Sequence, residues 1–239
     1  MFKKSMLSAA VMAFGGTGAQ AADAAHPVVL ELFTSQSCSS CPPADALLKE
    51  LSASDPTLLP LSFHVDYWDY LSWKDVHSSP EYTARQRGYS RAMRANNVFT
   101  PQLIVGGTAS MVGSSTREVR RAIEAAKTNP SPIGVTLSTG ANGTLVANLT
   151  VDRASGLPAE AEIYQVEFNR YSKTQVAAGE NGGRTLESVN NVSRIRSLGA
   201  WKTAEGKRSI ALQPTTSEGV AILVQTPGLG PLLGAGVRL

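Results

Sequence analysis

The sequence predicts an α/β domain followed by an all-β, antiparallel, sandwich-like domain. Three observations carry that prediction. Between residues 27 and 128, short β-branched stretches alternate with stretches whose apolar residues recur every three or four positions. A segment rich in proline and small polar residues, KTNPSPIG (127–134), then interrupts the pattern. Beyond it, over 132–239, the apolar period falls to two.

Taken in order, the chain opens with Lys3 and Lys4, an apolar run MLSAAVMAFGG, and AQA ending at Ala21. A basic start, a short apolar stretch and small residues at the cleavage positions predict a removable export signal over 1 to about 21. The run is too short to span a bilayer. PVVLELFTS (27–35) reads as a buried strand. From Pro42 the period changes: Ala44, Leu47, Leu48 and Leu51 fall at i, i+3, i+4 and i+7, one face of a helix. Pro42 and Pro43 suit its first turn, where a missing N–H costs nothing, and Asp45 adds a negative charge near that turn.

A second strand is predicted over roughly 59–65, then a polar, aromatic loop to Ser78. Ser79 as N-cap and Pro80 at the first position open a second helix. Leu103–Val105 and Ala109–Val112 flank Gly106-Gly107 as a hairpin. Ser115, three residues before Glu118, predicts a capping box on a third helix striped by Val119, Ile123 and Ala126. In the second half Leu145, Ala147, Leu149 and Val151 alternate with polar or outward positions, as do Tyr164, Val166 and Phe168. SIALQP and VAILVQTP supply further strands, and Asn142-Gly143 is a hairpin turn. About seven short strands over such a length predict a sandwich. The stretch AAGENGGRTLESVNNVSRIRSLG shows no clean alternation and reads as irregular.

Of the 22 Lys and Arg, two (Lys3 and Lys4) belong to the leader, which leaves 20 against 19 Asp and Glu. A near-neutral mature chain offers no whole-molecule field for nucleic acid or an anionic membrane. No apolar stretch after the leader reaches transmembrane length.

The chain has only two cysteines, Cys38 and Cys41, two residues apart in SQSCSSCPPAD. A chain of this length builds a core without staples, so the pair needs a local reason. Its place between strand and helix gives one. Unpaired N–H groups at a helix start favour a thiolate, the nucleophile of disulfide exchange, at Cys38. Cys41, further in, is placed to attack a mixed disulfide and release the product. A closed loop this short stabilises a fold little.

The order strand, CxxC, helix, strand, helix, Thr-Pro-opened hairpin, helix over about 27–128 resembles the thioredoxin fold. The resemblance implies an α/β thioredoxin-like domain with a cis proline at Pro101 lying against the CxxC, and a backbone at Thr100 that pairs with a substrate peptide. It also implies a proton-accepting acid on the first strand, usually six residues before the first cysteine; Glu31 lies seven before. More narrowly, ELFTSQSCSSCPPAD, FHVDYWDYLSWKD, FTPQLIVGG and GENGGRTL resemble an exported thioredoxin-like group, the domain-of-unknown-function family 1223. Ser37 stands where thioredoxins usually carry Trp, and Ser39-Ser40 matches no dipeptide associated with a strong reductant or oxidant, so the redox direction stays open.

The expected reading is a periplasmic or secreted thiol–disulfide oxidoreductase, with Cys38, Cys41 and Glu31 as catalytic residues and Thr100, Pro101 and Trp68 as substrate-binding residues. No metal and no cofactor is assigned. The expected partners are a thiol- or disulfide-bearing exported protein or small thiol and a redox partner that resets the pair, without nucleic acid or membrane insertion. Two alternatives stay open. Cys38 and Cys41 with His64 would suit copper or zinc, although a closed zinc site wants four ligands. The pair would otherwise brace a non-catalytic binding module. The aromatics Tyr67, Trp68, Tyr70 and Trp73 either form a lip to the site or finish the core. Arg87, Arg91 and Arg94 form a helix stripe that reads as a solvated face.

Overall fold

The structure, a computed structural model, describes residues 26–129 and 131–239. The expected leader over 1–21 lies outside the described residues, as does Pro130. The first half contains β1 (Val28–Thr34), α1 (Pro42–Ser54), β2 (Leu58–His64), α2 (Pro80–Ala92), β3 (Gln102–Val105), β4 (Ala109–Val112) and α3 (Thr116–Lys127). The second half contains β5 (Ile133–Thr139), β6 (Leu145–Val151), β7 (Glu160–Gln175), β8 (Thr185–Lys202), β9 (Lys207–Ala211), β10 (Gly219–Gln225) and β11 (Leu232–Arg238).

β1 is central to the first half. It runs parallel to β2 and antiparallel to β3, which pairs in turn with β4. Alternation along β1 sorts the core. Val29 and Phe33 pack with Tyr82 and Tyr89 of α2, whereas Leu30 and Leu32 pack with Leu47, Leu48 and Leu51 of α1 and Val119 and Ile123 of α3. The helices thus cover both faces of the sheet, which is why β1 and β2 read as continuous apolar runs. Ser79 caps α2 by accepting the Glu81 N–H. Ser115 makes no side-chain cap bond, so the expected capping box does not form.

The two segments 27–128 and 132–239 do not form separate sheets. One eight-stranded sheet runs through both in the order β11-β10-β7-β8-β2-β1-β3-β4. The join is parallel pairing of β2 with β8 at Ser62 and Asn191. A three-stranded sheet, β5-β6-β9, packs on the second half of the large one. Between them lie Ile133, Val135, Ala147 and Leu149 against Ile163, Trp201, Ile222 and Val224. The contact is close. A Cβ at Gly234 of β11 would come within 2.4 Å of the Ile133 carbonyl oxygen, so only glycine fits there.

The stretch that reads as irregular is the β7–β8 loop up to Arg184 and, from Thr185, most of β8, an 18-residue strand paired along the 16-residue β7. Bulges explain why its sequence hides it. Register shifts fall at Ile163/Tyr164 and Glu167/Phe168, and Asn190 and Gly199 sit at positive φ. Each bulge moves the side chains to the other face, so no single period of two survives. β11 lacks a clear signal because two of its residues facing β5 are glycines.

On the α2 face of β1, Glu31 is fully buried. Its carboxylate accepts from Arg85 Nε at 2.6 Å and from the Tyr89 hydroxyl, and Arg85 reaches Gln225 of β10 at 3.1 Å. Burial and the neighbouring Glu31 charge push the Tyr89 phenol well up, so it stays a donor. Breaking a buried pair leaves an uncompensated charge. Arg85→Met is therefore expected to lower unfolding free energy by about 3–5 kcal/mol, read from urea melts at neutral pH.

Candidate functional site

The first turn of α1 carries the site. Cys38 and Cys41 are joined by a disulfide, with Cα atoms 5.4 Å apart. Cys41 is the N-cap of α1, Pro42 and Pro43 fill the first two helical positions, and both cysteines are buried, at 3% and 0% exposure. Ser39 and Ser40 between them face solvent.

Thr100 and Pro101 sit against the pair. The Thr100–Pro101 bond is cis. The Trp68 indole N–H donates to Thr100 Oγ1 at 2.7 Å, and Thr100 Oγ1 lies 3.3 Å from Cys38 Sγ. An indole only donates, so it occupies a lone pair of the Thr100 hydroxyl and leaves the hydroxyl proton for sulfur. Ser40 Oγ lies 3.4 Å from the same sulfur. Trp68 thus orients Thr100 and is stacked with Tyr70, which is 74% exposed. The aromatic loop does both things open to it: Trp73 ties its N–H to Gln36 Oε1 at 3.0 Å, while Tyr70 stays in solvent.

Glu31 is not near the pair. Its side chain lies on the α2 face of the sheet, with the ion pair described above, while the cysteines lead α1 on the other face. The physical reason is alternation: residues 30, 32 and 34 of β1 face α1, and 31 does not. A buried acid on the cysteine side is Asp45, on α1 one helical turn after Cys41. It is buried, its Oδ1 has no hydrogen-bond partner, and the same holds for Thr34 Oγ1. Burial pushes the Asp45 carboxyl up to about 6; the charge of His64 and the nearby Thr34 hydroxyl pull it part of the way back. Sequence reading places Asp45 only as a charge near the helix start. The signal for more was its phase, inside the stripe of Ala44, Leu47 and Leu48.

His64 joins this cluster rather than the sulfurs. Its Nδ1 lies 2.7 Å from Asp75 Oδ2 and its Nε2 2.9 Å from Asn191 Oδ1. Acceptors at both nitrogens favour the protonated ring. Burial alone would lower its pKa, but the Asp75 charge and hydrogen bond prevail and raise it. Neither nitrogen is free for a metal, so the Cys38–Cys41–His64 ligand set does not assemble. Among the described residues no group of three or more His, Cys, Asp and Glu side chains could hold a metal ion. His77 packs edge-on against His64, at 5.2 Å between ring centres, and burial followed by the His64 charge lowers its pKa.

The second half of the chain also reaches the site. Asn181, fully buried in the loop between β7 and β8, donates to the carbonyls of Gln36 and Cys38, each at 2.9 Å. Glu180 Oε2 accepts the Ser39 N–H at 3.1 Å. The Asp75 carboxylate accepts the Gln36 N–H at 2.7 Å. The cysteine turn is therefore clamped from both sides, by the aromatic loop and by GENGG. Arg87, Arg91 and Arg94 are exposed on and just beyond α2.

Among the described residues no helix is long and apolar enough to cross a membrane. A family model described as "Protein of unknown function (DUF1223)" matches residues 29–225. The crystal structure of protein AGR_C_4864 from Agrobacterium tumefaciens is similar at 29% identity and a TM-score of 0.75, over 92% of this chain and 96% of that one. HBP35 of Porphyromonas gingivalis is similar at 16% identity and a TM-score of 0.62, over 90% of this chain and 75% of that one, a likeness of fold alone. No curated protein sequence matches.

Asp45 has a sign that can be measured. Its folded pKa of about 6 lies above the ordinary 3.8. The folded state therefore holds its proton more tightly than the unfolded chain, and Asp45 costs stability as pH rises through this window. Asp45→Asn is expected to match wild type near pH 4 and to gain on it by about 3 kcal/mol by pH 7, read from denaturant melts of the oxidised proteins at each pH.

Proposed function

The chain belongs to the family described as "Protein of unknown function (DUF1223)", and from that premise we propose that it is a thioredoxin-like thiol–disulfide oxidoreductase acting on an exported substrate. The observation that carries this reading is the Trp68–Thr100–Cys38 chain: a hydrogen-bond donor aimed at the first sulfur of a CxxC that opens a helix. A hydroxyl directed at sulfur favours its thiolate, and the thiolate is the attacking species. Support for the thioredoxin-like arrangement comes from β1 parallel to β2 and antiparallel to β3, helices on both faces, and the cis Thr100–Pro101 bond.

In this reading Cys38 exchanges with the substrate and forms a mixed disulfide. Cys41 then attacks Cys38 Sγ and releases the substrate. Cys41 is buried, so its proton needs a nearby acceptor. Asp45 takes the role that the sequence offered to Glu31, since it is buried on the same helix and holds a carboxyl tuned near neutrality. Thr100 and Pro101 border the place where the substrate backbone lies, with Tyr70 as an exposed apolar lip. The N-terminal leader directs the protein to the periplasm or outside the cell. Its partners are then an exported protein or small molecule bearing a thiol or disulfide, and a redox protein that resets the pair.

One observation favours a second reading. Both cysteines are almost entirely buried, as in a disulfide that only braces its loop.

A trapping experiment separates the two. Cys41→Ala, expressed with its leader, is expected to accumulate mixed disulfides through Cys38 that reductant releases on gels, and Cys38→Ala to accumulate none. A brace would give no adducts with either variant. With a model disulfide, Asp45→Asn is expected to form the Cys38 adduct at the wild-type rate and to resolve it about tenfold or more slowly, read by quenched-flow alkylation.

A further inference from the structure

GENGG has no counterpart in the chemistry so far, yet it touches the cysteine turn. Gly179 sits at φ 75°, and a Cβ there would come within 2.7 Å of the Leu71 carbonyl oxygen. The loop lies close against the aromatic loop at Leu71 and Trp73. Its next residue, Glu180, brings a carboxylate to the Ser39 N–H, and Asn181 fastens the carbonyls on either side of Ser37.

The N–H groups around Cys38 decide what a thiolate there would gain. Cys38 N–H goes to Ser35 O at 3.2 Å, Cys41 N–H to Cys38 O at 3.2 Å, and the Ala44 and Asp45 N–H groups to Cys41 O at 2.8 and 3.1 Å. Pro42 and Pro43 have none. Glu180 holds that of Ser39. Between residues 38 and 45 only the Ser40 N–H is left uncommitted. The helix start that favours a thiolate in principle is here largely stripped of free donors, and carboxylates stand on two sides, Glu180 over the turn and Asp45 behind it. A Cys38 thiolate draws on hydroxyls from Thr100 and Ser40 instead. Strong oxidants of this chemistry owe their potential to a heavily stabilised thiolate in the reduced form. This turn is arranged the other way.

We propose that Glu180, held over the turn by the β7–β8 hairpin, poises the Cys38–Cys41 pair as an electron donor, so that its substrate is a disulfide in an exported protein. The proposal rests on the thiol–disulfide reading above. The Cys38 thiolate attacks one substrate sulfur, and the other leaves as a thiolate and takes a proton from water. Cys41, its proton passed to Asp45, attacks Cys38 Sγ and closes the Cys38–Cys41 bond. The second substrate sulfur leaves and is protonated in turn. Two electrons pass from the pair to the substrate. A dithiol reductant resets the pair by the same exchange in reverse. Glu180 touches neither sulfur; it acts through the turn and by its charge.

The test equilibrates purified wild-type protein and Glu180→Gln with graded mixtures of reduced and oxidised glutathione. Alkylation and mass spectrometry then read the state of the pair. Wild type is expected to stay mainly disulfide where glutathione is mostly reduced. Glu180→Gln is expected to shift the equilibrium about threefold towards the dithiol, or about 14 mV, and to lower the Cys38 pKa when measured in a Cys41→Ala background. Glu180 is exposed, so the variant is expected to fold, and added salt shrinks the difference. A wild-type pair that glutathione reduces readily overturns the proposal, as does an unchanged equilibrium in Glu180→Gln. Failure of the parent reading looks different: a reducing poise with no substrate adducts on Cys38, which overturns both.

Discussion

A seam of side-chain hydrogen bonds between β2 and β8 holds the molecule together, and the site depends on it. The two strands share only the Ser62–Asn191 register position. Side chains supply the rest. Ser62 Oγ donates to the Val189 carbonyl at 2.8 Å, Asn190 Nδ2 to the Pro60 carbonyl at 2.8 Å, and His64 Nε2 meets Asn191 Oδ1 at 2.9 Å. Asn190 sits at positive φ, where the chain of β8 turns its side chain towards β2. Because β8 is fixed there, the loop that precedes it is carried over the cysteine turn. A slip of one residue at this seam would turn Asn191 away from His64 and lift Asn181 off Cys38.

Buried charge is divided between the two faces of the sheet, and only one of the two groups is fully satisfied. On the α2 face, Glu31, Arg85, Tyr89 and Gln225 close a satisfied network that ties β1, α2 and β10. On the α1 face, His64, Asp75 and Asn191 are satisfied, but Asp45 is not. A buried carboxylate with a bare oxygen is costly unless it is protonated or has a use. The asymmetry is what distinguishes Asp45 from Glu31, although both are buried acids.

Periodicity and turn residues made the first half legible. α1 and α3 follow from apolar stripes, β1 and β2 from short apolar runs, α2 from its Ser79-Pro80 start, and the hairpin from Gly106-Gly107. The Cys38–Cys41 pair was legible too, because the only two cysteines in the chain stand two residues apart between a strand and a helix. What stayed hidden is what alternation and sequence distance conceal. Which face of β1 carries Glu31 depends on which helix crosses over it. β8 was hidden by its bulges. The role of Asn181 and Glu180 was beyond reach because 143 residues of chain separate Asn181 from Cys38, and a short Gly-rich loop carries no signal of what it covers. His64 read as a spare ligand because its partners, Asp75 and Asn191, come from a loop and from an unrecognised strand.

The joined sheet also explains why the second half belongs to the site rather than beside it. A chain ending near residue 128 would keep α1 and its cysteines. It would lose Asn181 from the turn, Asn191 from His64, and Val166, Phe168 and Val192 from the core that backs Phe63 and Tyr82. The Gln36 and Cys38 carbonyls would then turn to water, and the His64 ring would keep a single anchor, Asp75. The local environment of Cys38, on which its acidity depends, is thus assembled from residues on both sides of the 127–134 segment. A thiol pair set this way takes its chemistry from the whole fold, with the CxxC supplying only the sulfurs.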